Sequence, residues 1–412
     1  MDWLPTPYPD ETFYSVLVRL HRYLGRPRFA AFARAVSGRR HFVALCQLPC
    51  DLQAVADHFG WSEQALDDLI RSTTTFSYHT AFASESVRAR ALQQMKGAGA
   101  SLQLILGLAT FPVPLPSTLQ FCPECVAQML SATGEAWWTR SHQLPAVLVC
   151  AEHGTWLRRS PVEISARTRH VLVSPEDAVD EAPVDQAHSS LSRQGRSRLI
   201  ELAHLSQALL DHPPAPESPA GLHQQYWSML ADRDLLQGTA HLRAAKLREL
   251  LKRYWGDVLK QVPGLSITQE GTSDWITDLL RNRRRLAPPA QHLVLRQALG
   301  SLEPVKRPFG PPPWPCHNPL ATHCGERVVT EHRLVRDRGK LHGHFTCSCG
   351  YSYSRTRQRD GTVGKPHLRA FGPTAAEFLR SADGAGLSLR GKARVMRVDP
   401  KTVLRIEREL GR

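Results

Sequence analysis

Apolar positions recur at helical spacing along most of this chain. Between Glu11 and Leu20, Phe13, Val16, Leu17 and Leu20 fall on one face and predict an amphipathic helix. From Asp51 the pattern tightens, with Leu52, Val55, Ala56 and Phe59 sharing a face before Gly60 and Trp61 interrupt it. Ser62 stands where it can cap a second helix carrying Ala65, Leu66, Leu69 and Ile70. Two short helices around a glycine turn form a helix-turn-helix pattern, and an ordinary helical hairpin reads the same way. The second helix is acidic (Glu63, Asp67, Asp68), which suits a structural or protein-contacting use better than a DNA groove.

Periodicity lapses from Ser160 to Ala220, a Ser-, Pro-, Asp- and His-rich stretch expected to be a linker around one helix near Leu199 to Leu210. It resumes from Gly221 to about Leu302, where Trp227, Leu230, Leu242, Leu247, Leu250, Leu251, Tyr254 and Trp255 are the expected core. Pro304 to Pro315 is a proline-rich boundary. Beyond it, Val328 to Leu334 and Gly343 to Tyr353 contain the alternation of short strands. Finally Leu389, Ala393 and Met396 give one helix an inner face, Val398 leads a turn, and Asp399 caps a second helix with Pro400 at its first position. Val403, Leu404 and Ile406 or Leu410 are expected to pack that second helix back.

The expected fold is mainly α and multi-domain, with helical helix-turn-helix domains and two small zinc-ribbon or knuckle modules. Its expected segments are a helical domain over 1–110, a Cys3His zinc module over 111–165 and a linker region over 166–220. A helical domain over 221–303, a four-Cys zinc ribbon over 304–365 and a basic helix-turn-helix over 366–412 complete it.

The zinc expectation comes from cysteine spacing. Cys122-Pro-Glu-Cys125 and Cys150-Ala-Glu-His153 are two pairs, each with a two-residue gap, on either side of Trp137, Trp138 and His142. Such a gap on a tight turn points two side chains at one ion, and the second pair closes a tetrahedron of three thiolates and one imidazole. Four protein ligands leave no open position, so this Zn2+ braces a fold and does not activate water. Cys316, Cys324, Cys347 and Cys349 form a looser second set, with Gly350 supplying a tight turn. His317, His323, His342 and His344 compete as ligands there. Cys46 and Cys50 lack a partner pair and are expected to be buried free thiols.

No HExxH or GxSxG sequence and no acidic triad occurs, so the chain is not expected to be an enzyme. Gly386 to Lys392 imitates a phosphate-binding loop, yet Ala393 stands where a magnesium-ligating hydroxyl is needed. Asp2, Pro5, Pro9, Asp10 and Glu11 interrupt any signal-peptide core, and the longest apolar stretch, Leu102 to Phe111, is too short for a bilayer. These features predict a cytoplasmic protein with reduced thiols and no membrane partner.

The net charge of +14 implies a polyanionic partner. From Glu326 onward there are 19 Lys and Arg against 9 Asp and Glu, so the excess concentrates on the last helix pair and its approach. Lys401, Thr402 and Arg405 lie near the N-terminal face of the second helix, where base edges or phosphates are read. Arg390, Lys392, Arg394 and Arg397 are placed to grip the backbone. Arg283, Arg284 and Arg285 either touch phosphates or face solvent.

The opening Leu4-Pro-Thr-Pro-Tyr-Pro-Asp-Glu-Thr-Phe-Tyr-Ser resembles the start of TniQ/TnsD proteins, the target-selection subunits of heteromeric DNA transposons. Phe121-Cys-Pro-Glu-Cys, Gly134-Glu-Ala-Trp-Trp-Thr-Arg, His142-Gln-Leu-Pro-Ala and Cys150-Ala-Glu-His-Gly resemble that family's core motif, in order. The similarity continues through Trp275 to His292 and into the Cys316 and Cys347 region. Short members dock on a CRISPR effector complex without reading DNA sequence, whereas long members read a chromosomal attachment site. The long basic C-terminal half resembles the site-reading type. The resemblance implies binding to a double-stranded attachment site, recruitment of an AAA+ ATPase regulator and, indirectly, of the transposase. It also implies a bacterial setting and association with the nucleoid when DNA is bound.

Overall fold

The computed structural model describes residues 3–39, 46–108, 112–164, 170–179, 191–237, 241–267, 274–281, 286–302, 308–310, 312–337, 340–358 and 362–410. Helices dominate, and the chain divides into two compact units. The first comprises 1–235 with 243–303, and the second 304–412 with 236–242.

In the first unit, helix Phe13–Tyr23 starts at Thr12, whose hydroxyl accepts the Ser15 N–H, and Phe13, Val16, Leu17 and Leu20 are all fully buried. Helices Leu52–Phe59 and Glu63–Thr73 follow the predicted pair, with Gly60 at φ +66° ending the first and Ser62 accepting from Ala65 N at 3.2 Å to start the second. Leu66 and Ile70 are buried, but Ala65 is exposed. The acidic surface of the second helix has an internal partner. Lys96, its side chain 6% exposed, reaches Glu63 Oε1 at 2.8 Å and Asp67 Oδ1 at 2.7 Å.

Helix Arg193–Asp211 runs through the stretch read as a linker, and it is a packing element. Leu199, Leu202, Ala203, Leu209 and Leu210 are buried, and the helix lies against Phe76–His79 and Pro289–Gly300. Its Arg196 donates from Nε and Nη2 to the Gly154 carbonyl, at 3.1 and 2.8 Å. The low apolar periodicity of 160–220 therefore reflects flanking segments and not this helix. Cys46 is buried and its thiol is pushed up to about 12 by that burial, as an inert core residue; Cys50 is half-buried.

The second unit is built on a four-stranded antiparallel meander, Glu331–Asp337, Lys340–Thr346, Ser352–Arg357 and His367–Ala370. One face carries Phe345 and Tyr353, stacked at 4.9 Å between centroids, into a core shared with Phe309, Trp314, Leu379, Ala393, Met396 and Val403. The strands and the terminal helices Pro373–Arg380, Leu389–Val395 and Pro400–Glu409 thus have one core between them. Two glycines fix the crossing. A Cβ on Gly350 (φ +83°) would lie 2.6 Å from Pro373 Cδ, and one on Gly372 (φ +67°) would lie 2.6 Å from the Gly350 carbonyl. Only glycine fits that backbone contact.

No described helix is long and apolar enough to cross a membrane.

Candidate functional site: two Cys/His clusters and a basic helix pair

The first cluster is assembled by a short antiparallel pairing. Strand Thr118–Phe121 runs beside Arg158–Glu163, bringing the two ligand turns to one end. Cys122 is the N-cap of helix Pro123–Thr133, with Pro123 at its first position and Cys125 in its first turn. The second turn closes when Cys150 N donates to Thr155 O at 2.8 Å and Gly154 N donates to Cys150 O at 2.9 Å. Thr155 Oγ1 donates to Glu124 Oε1 at 2.9 Å, which ties the two turns together.

The His153 Nδ1 atom lies 3.6 Å from Cys122 Sγ, 3.3 Å from Cys125 Sγ and 3.5 Å from Cys150 Sγ, while Cys125 and Cys150 sulfurs are 3.6 Å apart. A tetrahedron around zinc, with Zn–S near 2.3 Å and Zn–N near 2.0 Å, has edges of about 3.5 to 3.8 Å. The donor set therefore fits one tetrahedral ion. Electrostatics points the same way: hydrogen bonds with Cys122 and Cys150, then burial, hold Cys125 far above the ordinary thiol range. Cys150 is held far below it, by Cys122 and then Cys125. Three buried thiols this close repel one another when ionised, and a bound cation is what relieves that repulsion.

The family-motif residues between the ligand turns act as anchors. Glu135 accepts from Tyr8 Oη at 2.9 Å, Tyr23 Oη at 2.6 Å and Arg19 Nε at 3.0 Å, and it pairs with Arg22. Although burial opposes it, these donors, led by Tyr23, keep the Glu135 carboxyl below its usual range. Trp138 is buried, with Nε1 donating to Val173 O at 2.8 Å. Arg140 reaches Asp10 at 3.1 Å and Asp211 at 3.0 Å. None of these was among the expected site residues; their signal was the motif itself.

The second cluster corrects the four-cysteine expectation. Its members are Cys316, His323, Cys347 and Cys349, with ligand atoms all within 4.8 Å of one another. His323 Nε2 lies 3.4 Å from Cys347 Sγ, and Cys316 Sγ lies 3.8 Å from Cys349 Sγ. Cys324 is exposed and outside the set. The cause is local: Gly325 N donates to Cys316 O at 2.8 Å and Cys316 N to Glu326 O at 2.9 Å, fixing a turn in which His323, and not its neighbour, points inward. His317, His342 and His344 also lie outside the cluster. Burial raises the Cys316 thiol to about 12. Against burial, a hydrogen bond from Asn318 holds Cys349 at about 7. Asn318, fully buried, donates from Nδ2 to Cys349 Sγ at 3.5 Å and to Thr374 Oγ1 at 2.9 Å, and its Oδ1 accepts from Leu320 N at 3.1 Å.

In the terminal helix pair, Ser388 caps Leu389–Val395 by accepting from Gly391 N, and Asp399 caps Pro400–Glu409 by accepting from Lys401 N at 2.8 Å. Arg397 makes the turn in the left-handed region, at φ +51°. Arg390, Arg394, Arg397, Lys401 and Arg405 are exposed, Thr402 is half-buried, and Val403 and Met396 are buried. Arg408, which the sequence reading did not select, is exposed beside them. Lys392 departs from the expectation. Its Nζ meets Glu407 Oε1 at 2.8 Å, with the two side chains only 14% and 16% exposed, so it joins the two helices instead of standing free. Arg283, Arg284 and Arg285 lie outside the described residues.

Residues 3–157 match the TniQ family, and residues 202–412, just over half of the chain, match the family of Tn7-like transposition protein D. The chain belongs to this family of transposition proteins. Among curated proteins it is similar to the Transposon Tn7 transposition protein TnsD of Escherichia coli, 28% identical over 301 residues. That match covers 72% of this chain and 57% of the relative's length.

Proposed function

We propose that the protein selects the insertion site of a heteromeric DNA transposon by binding a defined duplex sequence, with Zn2+ in both Cys/His clusters. The observation that carries this reading is the row of exposed cations on the capped terminal helix pair, within the part that matches Tn7-like transposition protein D. In this reading the two terminal helices act as a helix-turn-helix, with the N-terminal end of Pro400–Glu409 entering a major groove. There Lys401, Thr402 and Arg405 meet base edges, and Arg390, Arg394 and Arg397 meet phosphates. Each phosphate contact adds about −0.9 to the slope of log affinity against log salt, so binding falls steeply as salt rises.

The metal has a structural role in this reading. Four protein ligands leave no position for substrate, and the ion supplies cross-linking and charge neutralisation for thiolates. Cutting and joining DNA then fall to partners, an AAA+ ATPase regulator and a transposase, which the bound protein recruits. Arg283, Arg284 and Arg285 as further phosphate contacts belong to the same proposal.

The test is enrichment from a random-sequence duplex library at moderate salt, followed by footprinting of the recovered sequence. A single enriched sequence with a bounded footprint is the expected result. Recovery of duplexes without a common sequence overturns the reading and favours a docking adaptor that takes its address from an RNA-guided complex.

A further inference from the structure

The outer face of the four-stranded meander has no place in the site described above, and its chemistry is unusual for a solvated sheet. In the strand register Arg333 stands opposite His344, His344 opposite Ser354 and Ser354 opposite His367, so one row of these residues crosses all four strands. The next row holds Val335, His342 and Thr356, with Thr356 Oγ1 and His342 Nδ1 3.0 Å apart. Of these, Arg333, His344, Val335 and His342, together with Thr346, Ser352 and Arg369, line an open hollow of about 810 Å³ in which Glu331 is the acidic member.

Arg369 gives the hollow its continuity with the helix pair. It sits at the register irregularity between Leu368 and Ala370, where a bulge re-aims a side chain. It lines the hollow and also a cleft of about 220 Å³ that contains Arg405, Ile406 and Glu409 of the terminal helix. Arg333 and Arg369 are exposed and lie on the first and fourth strands. Three strand intervals of about 4.8 Å separate those strands by roughly 14 Å, against about 12 Å for the width of a DNA major groove. Two guanidiniums at that span reach phosphates on both banks of a groove. The hydroxyls of Thr346 and Ser352 add neutral donors between them.

From this placement we infer that the outer sheet face is a second duplex-DNA surface, taking the sugar-phosphate backbone and continuing through Arg369 the track that begins at Arg405. The inference rests on the proposed function and lengthens its footprint. It makes the second unit a two-part reader, in which the helix pair meets base edges and the sheet meets phosphates independently of sequence.

The experiment uses the full chain and a mixed-sequence duplex, because phosphate contacts do not depend on sequence. Affinity is followed by fluorescence anisotropy across a salt series for the parent protein, for Arg333→Ala with Arg369→Ala, and for Arg394→Ala with Arg405→Ala. Removing two phosphate contacts is expected to reduce the magnitude of the salt slope by about two. The Arg333→Lys and Arg369→Lys pair should retain it, and zinc content should stay unchanged in all. If the helix variant weakens binding while the sheet variant keeps the parental slope and affinity, the inference falls and the proposed function stands. If the parent protein binds no duplex at any salt, the proposed function falls with it.

Discussion

Asn318→Ala tests whether the second cluster and the terminal helices are held by one buried amide. In the parent protein this side chain makes two well-formed hydrogen bonds, to Thr374 Oγ1 at 2.9 Å and from Leu320 N at 3.1 Å, and a longer one to Cys349 Sγ at 3.5 Å. At about 1 kcal/mol for each good bond and less for the sulfur contact, the loss is roughly 2 to 3 kcal/mol. That is about a 30- to 150-fold fall in amide protection of the strands it supports. Removing a partner of a metal ligand also weakens metal binding by about 10- to 100-fold. Hydrogen exchange should therefore show Lys340–Thr346 and Ser352–Arg357 opening sooner, with helix Phe13–Tyr23 as the unaffected reference. Chelator competition should release one zinc early while the other stays. Parental exchange in those strands, with metal release unchanged from that of the parent protein, would refute the argument.

Four further outcomes follow from the geometry. Cys125→Ser should lose zinc from the first cluster and lower soluble yield, and elemental analysis showing full zinc in folded protein contradicts this. Gly372→Ala places a methyl on a backbone carbonyl at a positive φ and should destabilise the second unit by about 2 kcal/mol or more, read by urea titration. A Lys392→Ala and Glu407→Ala double-mutant cycle should give a stability coupling near 1 kcal/mol, and Lys392→Ala should leave the DNA salt slope intact; a slope reduced by about one would return Lys392 to the phosphate contacts. Buried His292 is held neutral, its pKa lowered from 6.5 to about 3 by burial and then by Arg296. The unfolded chain thus binds the extra proton first, so stability is greatest above pH 6.5 and is lost as pH falls toward 3. Between pH 6.5 and 5 that loss is about 2 kcal/mol, and His292→Gln should remove this increment from urea titrations at the two pH values.

Much of the local architecture was legible because it depends on neighbours in sequence. The apolar stripe of Phe13–Tyr23, the cap at Ser62, the stop at Gly60 and the cap at Asp399 are short-range signals, and each is present. The grouping of Cys122, Cys125, Cys150 and His153 was legible for a related reason: two-residue gaps place side chains on one turn. Contacts across the fold left weaker traces. Adjacent His323 and Cys324 satisfy the same spacing, and only the turn held between Cys316 and Glu326 decides which faces inward. Lys392 carries the right charge for a phosphate contact, yet its partner Glu407 lies on the next helix, close only after folding. Helix Arg193–Asp211 was half hidden because its flanks are polar, although its buried face and Arg196 hold the first knuckle in place. Asn318 offered no signal at all, since its role depends on the arrival of Thr374 from a distant segment.

The backbone crossing of Gly350 and Gly372 also bears on how the protein can be re-engineered. Exchanging the terminal helices alone would sever an interlock no substitute side chain can rebuild. A transferable cassette must begin upstream of Phe309, so that the strands, the knuckle and the helices travel as one graft.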